Sequence, residues 1–115
     1  MADTDECREA LEQLSRNLGR ANGNVKQAAA LDRTLSCRLT DLDLTFTGTL
    51  REGRIQGLAE APGAPVGRAD IRLTMASDDL VALVGGRLNF ASAWATGRVR
   101  LEAGIRDLLR LRTLL

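Results

Sequence analysis

The chain contains no histidine and no tyrosine. The commonest general acid–base side chain and a frequent substitute are therefore missing. Ser15, Ser36, Ser77 and Ser92 have no histidine to receive a proton, which excludes a serine–histidine–carboxylate triad. Aromatic residues are scarce: Phe46, Phe90 and Trp94 are too few to form a stacking platform for nucleobases. A net charge of +1 leaves no broad basic footprint for nucleic acid. Cys7 and Cys37 stand far apart in sequence with no histidine near them, which excludes the usual zinc spacings, so neither a metal nor a cofactor is expected. Both thiols are expected to be reduced and unbridged. No apolar run approaches the roughly 20 residues that span a bilayer, so stable membrane insertion is not expected. The acidic opening, Asp3, Asp5 and Glu6, is the opposite of a secretory signal, and Thr113-Leu114-Leu115 is not a peroxisomal address. A cytoplasmic protein is expected. Among 16 basic residues only Lys26 is a lysine, a bias that suggests a GC-rich bacterial source.

What the chain does have is the makeup of a globular domain. At 115 residues it predicts one domain spanning residues 1–115, able to bury roughly two thirds of its unfolded surface. Residues 4–18 are predicted as a helix, capped by Thr4 or Asp3, with Asp5, Glu6 and Glu9 favoured at its positive end. Cys7, Leu11, Leu14 and Leu18 make one narrow apolar stripe, too short for a coiled coil and suited to docking on the domain's own sheet. Gly19–Gly23 interrupts the helix, and Asn24 is placed to cap a short second one through Val25–Leu31.

Strand periodicity begins near Arg33. Leu35, Cys37 and Leu39 alternate with Ser36 and Arg38, and Leu42, Leu44 and Phe46 alternate with Asp43, Thr45 and Thr47. Asp41 and Asp43 are read as solvated residues sharing the wet face of a strand. Glu52-Gly53 is a tight reversal. Ile55–Glu60 is a third strand, in which Gly57 suggests a bulge or a close approach. Alternation on one face only means helices cover one side of the sheet and water the other.

The stretch Ala69–Gly104 organises the remainder. Ala69, Ile71, Leu73 and Met75 alternate with Asp70, Arg72 and Thr74 as a half-buried strand. Ser77 sits where an N-cap belongs, with Asp78 and Asp79 in the first turn, and Gly85-Gly86 ends that helix. Asn89 starts a short helix carrying Phe90 and Trp94, and Gly97 stops it. Val99 and Leu101 then alternate with Arg98, Arg100 and Glu102 in a last strand. Ile105–Leu115 is predicted as a final helix, with Leu108, Leu111 and Leu115 along one face and Arg106, Arg110 and Arg112 around the rest.

The residues Ala69-Asp70, Thr74, Ser77, Asp79-Leu80, Gly86 and Gly97-Arg98, with Thr40-Asp41 and Gly53 upstream, resemble the pattern of the sterol carrier protein type 2 family. One position departs from it: that family places a glycine directly after the final strand, where this chain has Ala103 and then Gly104. The resemblance implies an α+β fold, a mainly antiparallel five-stranded sheet with helices packed on one face and a lipid tunnel between the layers. It implies a binder or carrier of a hydrophobic small molecule or lipid (sterol, fatty acyl or isoprenoid), and not an enzyme. Val81, Val84, Leu88, Phe90, Trp94, Leu108 and Leu111 would wall the tunnel. The alternative is a non-catalytic accessory protein that fills its own pocket and works beside a partner enzyme.

Overall fold

The computed structural model describes residues 2–19, 32–51, 54–65 and 67–104. The helices expected at residues 25–31 and 105–115, the reversal at Glu52-Gly53 and the side chain of Leu18 lie outside the described residues, and with them Leu108 and Leu111.

Helix α1 spans Thr4–Gly19. Asp3, not Thr4, caps it. The Asp3 carboxylate accepts from the Glu6 N–H at 2.8 Å, and the Glu6 carboxylate accepts from the Asp3 N–H at 3.4 Å. This reciprocal pair satisfies amides that a helix start leaves without partners. Five strands follow: β1 (Arg33–Leu39), β2 (Leu44–Arg51), β3 (Arg54–Pro62), β4 (Ile71–Met75) and β5 (Arg100–Ala103), with α2 (Ser77–Val84) and α3 (Phe90–Ala95) between the last two. Their order in the sheet is β3-β2-β1-β4-β5. The β1–β4 pair is parallel and the other three are antiparallel, so the fold is α+β on a mainly antiparallel mixed sheet.

Register sorts the side chains onto two faces. Leu35, Cys37 and Leu39 lie beside Gly48, Phe46 and Leu44 on one neighbour, and beside Ile71, Leu73 and Met75 on the other. This face is apolar and turns toward α1 and α2. Ser36 and Arg38 lie beside Thr47 and Thr45, and beside Arg72 and Thr74, on the outer face. That face is polar but not uniformly wet. Ser36 and Thr45 are buried, Ser36 beside Arg72 and Thr45 beside Arg38. The Thr45 hydroxyl donates to the Gly63 carbonyl at 2.7 Å.

The core is continuous from α1 through the sheet to α3. Cys7, Leu11, Cys37, Leu39, Phe46, Met75, Leu80, Ala93 and Val99 are among its buried members. Helix α1 thus spends its stripe on its own sheet. Arg8 pairs with Glu60 of β3, and Ser15 Oγ accepts from the Ile55 N–H at 2.9 Å while donating to the Ile55 carbonyl. Those backbone groups belong to an edge strand, which α1 thereby covers. Gly57, at φ +65°, sits in the bulge expected of it, opposite a register shift between Thr47 and Thr49. The close approach occurs across the ladder at Gly48, where a Cβ would come within 2.9 Å of Ile55 Cγ2.

The β1–β2 connection corrects the strand reading of its acids. Residues 40–43 are a turn, so Leu42, Asp41 and Asp43 are not strand residues and the two acids do not share a sheet face. Asp43 takes φ +49°, a left-handed conformation that aspartate tolerates, and accepts from Arg38 at 2.6 Å. Asp41 reaches α2. Its carboxylate accepts from the Ser77 N–H at 2.9 Å and from the Ser77 hydroxyl at 2.5 Å. The cap residue of α2 is Ala76, which makes no side-chain cap bond, so the cap is supplied by Asp41 from the turn rather than by Ser77. The final strand ends at Ala103, and Gly104 follows it directly, so the glycine keeps its place relative to the strand.

Candidate ligand site

The candidate site is the α2–α3 side of the inner face. Helix α2 forms because Leu80, Val81, Leu83 and Val84 follow an acidic first turn, and it stops where Gly86 takes φ +77°. The Gly85 N–H returns to the Val81 carbonyl at 2.9 Å. Helix α3 begins at Asn89, whose side chain accepts from the Ser92 N–H at 3.0 Å, and Gly97 at φ +82° closes it. The Val99 N–H bonds the Ala93 carbonyl at 3.2 Å, tying α3 to the start of β5.

These constraints bring most of the expected wall together. Val81 and Val84 on α2, Leu88 in the link and Phe90 on α3 are half-buried and pack against the same core. Trp94 is half-buried and stacks obliquely on Phe90, with centroids 6.1 Å apart and planes at 56°. Among the described residues it touches the rim of this group rather than the core. Two further inner-face apolar residues were not singled out from the sequence. Leu73 and Leu101 are register partners on the inner face, and both are half-buried. Their period-2 placement in the strands was the available signal. Leu83, half-buried in the same cluster, follows from the helical spacing of α2.

Burial pushes the Cys37 thiol up to about 12, with Cys7 adding to the effect. Burial likewise pushes Cys7 up to about 11, reinforced by Asp41, Glu6 and Asp3. Both thiols are free and protonated near neutrality, so neither is a ready nucleophile. Residues separated by 29 others in sequence thus meet in one core. Desolvation acts to raise the Asp41 carboxyl, but the bonds from Ser77, together with those from the backbone N–H groups of Asp41 and Leu42, hold it below the usual carboxylate range. Asp70 is held low by bonds from the Thr34 N–H and hydroxyl. Among the described residues no cluster suits a metal ion, and no helix is long and apolar enough to cross a membrane.

The SCP-2 sterol transfer family model matches residues 10–115. No curated protein matches the chain. Among solved structures the chain is similar to a sterol carrier protein 2 crystal structure, at TM-score 0.66 and 18% identity over 91% of this chain and 86% of that one. It is similar to the sterol carrier protein domain 2 of Helicoverpa armigera, at TM-score 0.69 and 12% identity over 98% and 89% of the two chains. It is also similar to part of the stereoselective inverting sec-alkylsulfatase Pisa1 from a Pseudomonas species, at TM-score 0.58 and 24% identity. That match covers 89% of this chain and spans only 15% of the sulfatase. At these identities the likeness is one of fold.

Proposed function

The chain belongs to the SCP-2 sterol transfer family, and from that premise we propose that residues 1–115 act as a single lipid-binding domain that carries an apolar ligand without transforming it. The ligand is a sterol, a fatty acyl chain or an isoprenoid lipid, held between the inner sheet face and the α2–α3 side. Val81, Val84, Leu88, Phe90 and Trp94 wall it, with Leu108 and Leu111 contributing from beyond the described residues. The carrier works in the cytoplasm.

One observation supports this reading most. A closed apolar core buries its large side chains, yet along this flank Val81, Leu83, Val84, Leu88 and Phe90 all stop half-buried while packed on it. Side chains so placed gain burial when an apolar guest arrives, at about 25 cal/mol per Å². A rigid empty cavity of several hundred Å³ would instead cost on the order of 10 kcal/mol, a typical total stability. The unliganded flank is therefore expected to rest partly collapsed.

Titration with a sterol, a fatty acyl-CoA and an isoprenoid analogue tests the reading. One of them should raise the melting temperature and shift the emission of Trp94. Silence from all three would overturn it and favour the accessory role beside an enzyme. That second reading draws on the sulfatase, in which a region of this fold forms part of a longer enzyme chain. Organic extraction of the purified protein separates the two: a carrier yields co-purified lipid, and a self-filled accessory protein does not.

A further inference from the structure

The outer face of the sheet carries a basic cluster that neither the core nor the apolar flank uses. Arg38, Arg72 and Arg100 stand on three adjacent strands, β1, β4 and β5. Register sets them around one residue. Thr74 lies directly between Arg38 and Arg100, one strand from each, and Arg72 precedes it by two residues on the same strand and face. Arg72 is therefore diagonal to both of the others, at about 7–8 Å, from which long side chains still meet. Like charges so placed repel unless an anion lies among them. The acids nearby neutralise the cluster incompletely. Asp43 takes Arg38 Nη2 at 2.6 Å, and Glu102 stands 3.8 Å from Arg72 Nε. Those carboxylates are 77% and 62% exposed, so both pairs are screened and weak. Asp70, which bonds Thr34, also lies near Arg72, and Arg72 Nη1 donates to the Ala69 carbonyl at 2.8 Å. Arg100 is exposed, and among the described residues it has no carboxylate partner and the Thr74 hydroxyl has no hydrogen-bond partner. Arg38 Nη1 is buried without an acceptor. A buried donor left so is costly, and the guanidinium gains by turning that nitrogen to an acceptor.

We propose that this cluster binds a phosphate group over Thr74, as free phosphate or on a small phosphomonoester. The three guanidinium groups converge from three sides and the Thr74 hydroxyl donates from beneath. Such a tripod suits a head with three terminal oxygens better than a carboxylate with two, and planar guanidinium forks suit phosphate in particular. Arg38 exchanges its exposed Asp43 for the phosphate and gives Nη1 an acceptor. The sheet separates this site from the apolar flank, so the inference stands apart from the carrier reading.

Calorimetric titration with inorganic phosphate, phenyl phosphate and acetate, in chloride at fixed ionic strength, tests it. The phosphates should bind saturably at one site, and acetate should bind at least about tenfold more weakly. Arg100→Gln removes one charge-assisted contact and should weaken phosphate binding about tenfold, and Thr74→Val should weaken it by less. Asp43→Asn frees Arg38, suits the left-handed backbone there and should tighten binding. Arg87→Gln, exposed in the α2–α3 link, should change nothing. All four variants should keep the circular dichroism of the parent. Tighter binding of phenyl phosphate assigns the organic ester, and tighter binding of the free ion assigns phosphate itself. No saturable binding, equal binding of acetate, or a loss in Arg87→Gln as large as that in Arg100→Gln would overturn the proposal. Trp94 stands on the helical side and keeps the carrier reading separate. Arg100→Gln should retain the parent's Trp94 response to lipid, and phosphate binding by a protein that takes up no lipid would sink the carrier reading while leaving this one standing.

Discussion

Two helical flanks share one face of the sheet, and they are finished differently. Helix α1 sinks Cys7 and Leu11 to 0% and 5% exposure and latches onto β3 through Ser15 and the Arg8–Glu60 pair. The Arg8 guanidinium also lies 5.6 Å from the centre of the Phe46 ring. On the α2–α3 flank, among the described residues, Ser77, Leu80 and Ala93 are buried, and the other large apolar side chains stop halfway. Polar latches have fixed partners and geometry, so a flank held by them opens only by breaking bonds. Apolar contacts have no such directionality, so a flank held by them can exchange its own packing for that of a guest. The same fold thus carries a side latched to β3 and a side that, apart from the Asp41–Ser77 and Arg98–Asp79 contacts in the first turn of α2, rests on apolar packing and on the proposed reading yields.

Truncation is the strongest way to break this comparison. Leu11→Ala should cost about 2–5 kcal/mol by urea denaturation, since it leaves a hole in a filled core. Leu14→Ala, half-buried on the same stripe, should cost less. Val84→Ala on the yielding flank should cost about 1 kcal/mol, because only part of its surface is removed from water. Equal losses at Leu11 and Val84 would show that both flanks are packed alike.

The thiols sharpen the comparison by pH, since Cys7 belongs to α1 and Cys37 to the sheet beneath it. Their folded-state pKa values are raised to about 11 and about 12. A raised pKa contributes stability that is complete below the unfolded value near 9 and is lost as pH rises through the folded one. By about pH 10 the loss should be on the order of 1 kcal/mol for each thiol. Replacing both with alanine should flatten this alkaline limb. A limb of unchanged slope in that variant would mean that other groups set it.

On the proposed carrier reading, ligand saturation acts on the other flank. A hundredfold excess of free ligand over its dissociation constant should add about 2.7 kcal/mol to stability. Val84→Trp should weaken that gain by filling the space, while circular dichroism stays that of the folded parent. A larger side chain that leaves the gain intact would move the ligand away from α2.

Much of this architecture was legible locally. The alternation of Leu35, Cys37 and Leu39, the Asn89 cap of α3 and the bulge at Gly57 are short-range consequences of residue type. What lay beyond reach depends on contacts distant in sequence. Nothing near Asp41 announces a partner at Ser77, and nothing near Cys7 announces Cys37. Period-2 alternation placed Leu73 and Leu101 on one face of the sheet without saying which helix would stand over them. The parallel pairing of β1 with β4 has no local signal at all, because the two strands are joined through β2 and β3. The Val81, Val84, Leu88 and Phe90 group was legible because helical spacing and a short link leave it few other ways to close.

The smallest expected effect tests whether α2 is anchored at its start and free at its end. Two donors of Ser77, the backbone N–H and the hydroxyl, converge on the Asp41 carboxylate from 36 residues away. Asp41→Ala removes that cap and should cost about 1 kcal/mol, the usual worth of a helix N-cap. Asp41→Asn keeps an acceptor oxygen and should recover part of the loss. The bond also fixes a sign with pH. Because the folded-state pKa of Asp41 is lowered, its contribution is present above the unfolded value and disappears as pH falls through the folded one. Stability measured between neutral pH and the acid range should therefore fall less in Asp41→Ala than in the parent. Hydrogen exchange along α2 gives the spatial readout. Loss of the cap should speed exchange in the first turn, around Asp79 and Leu80, and leave the amides of Gly85 and Gly86 as they were. Equal acceleration at both ends would mean that the helix opens as one unit, with no anchored start to set against a yielding end.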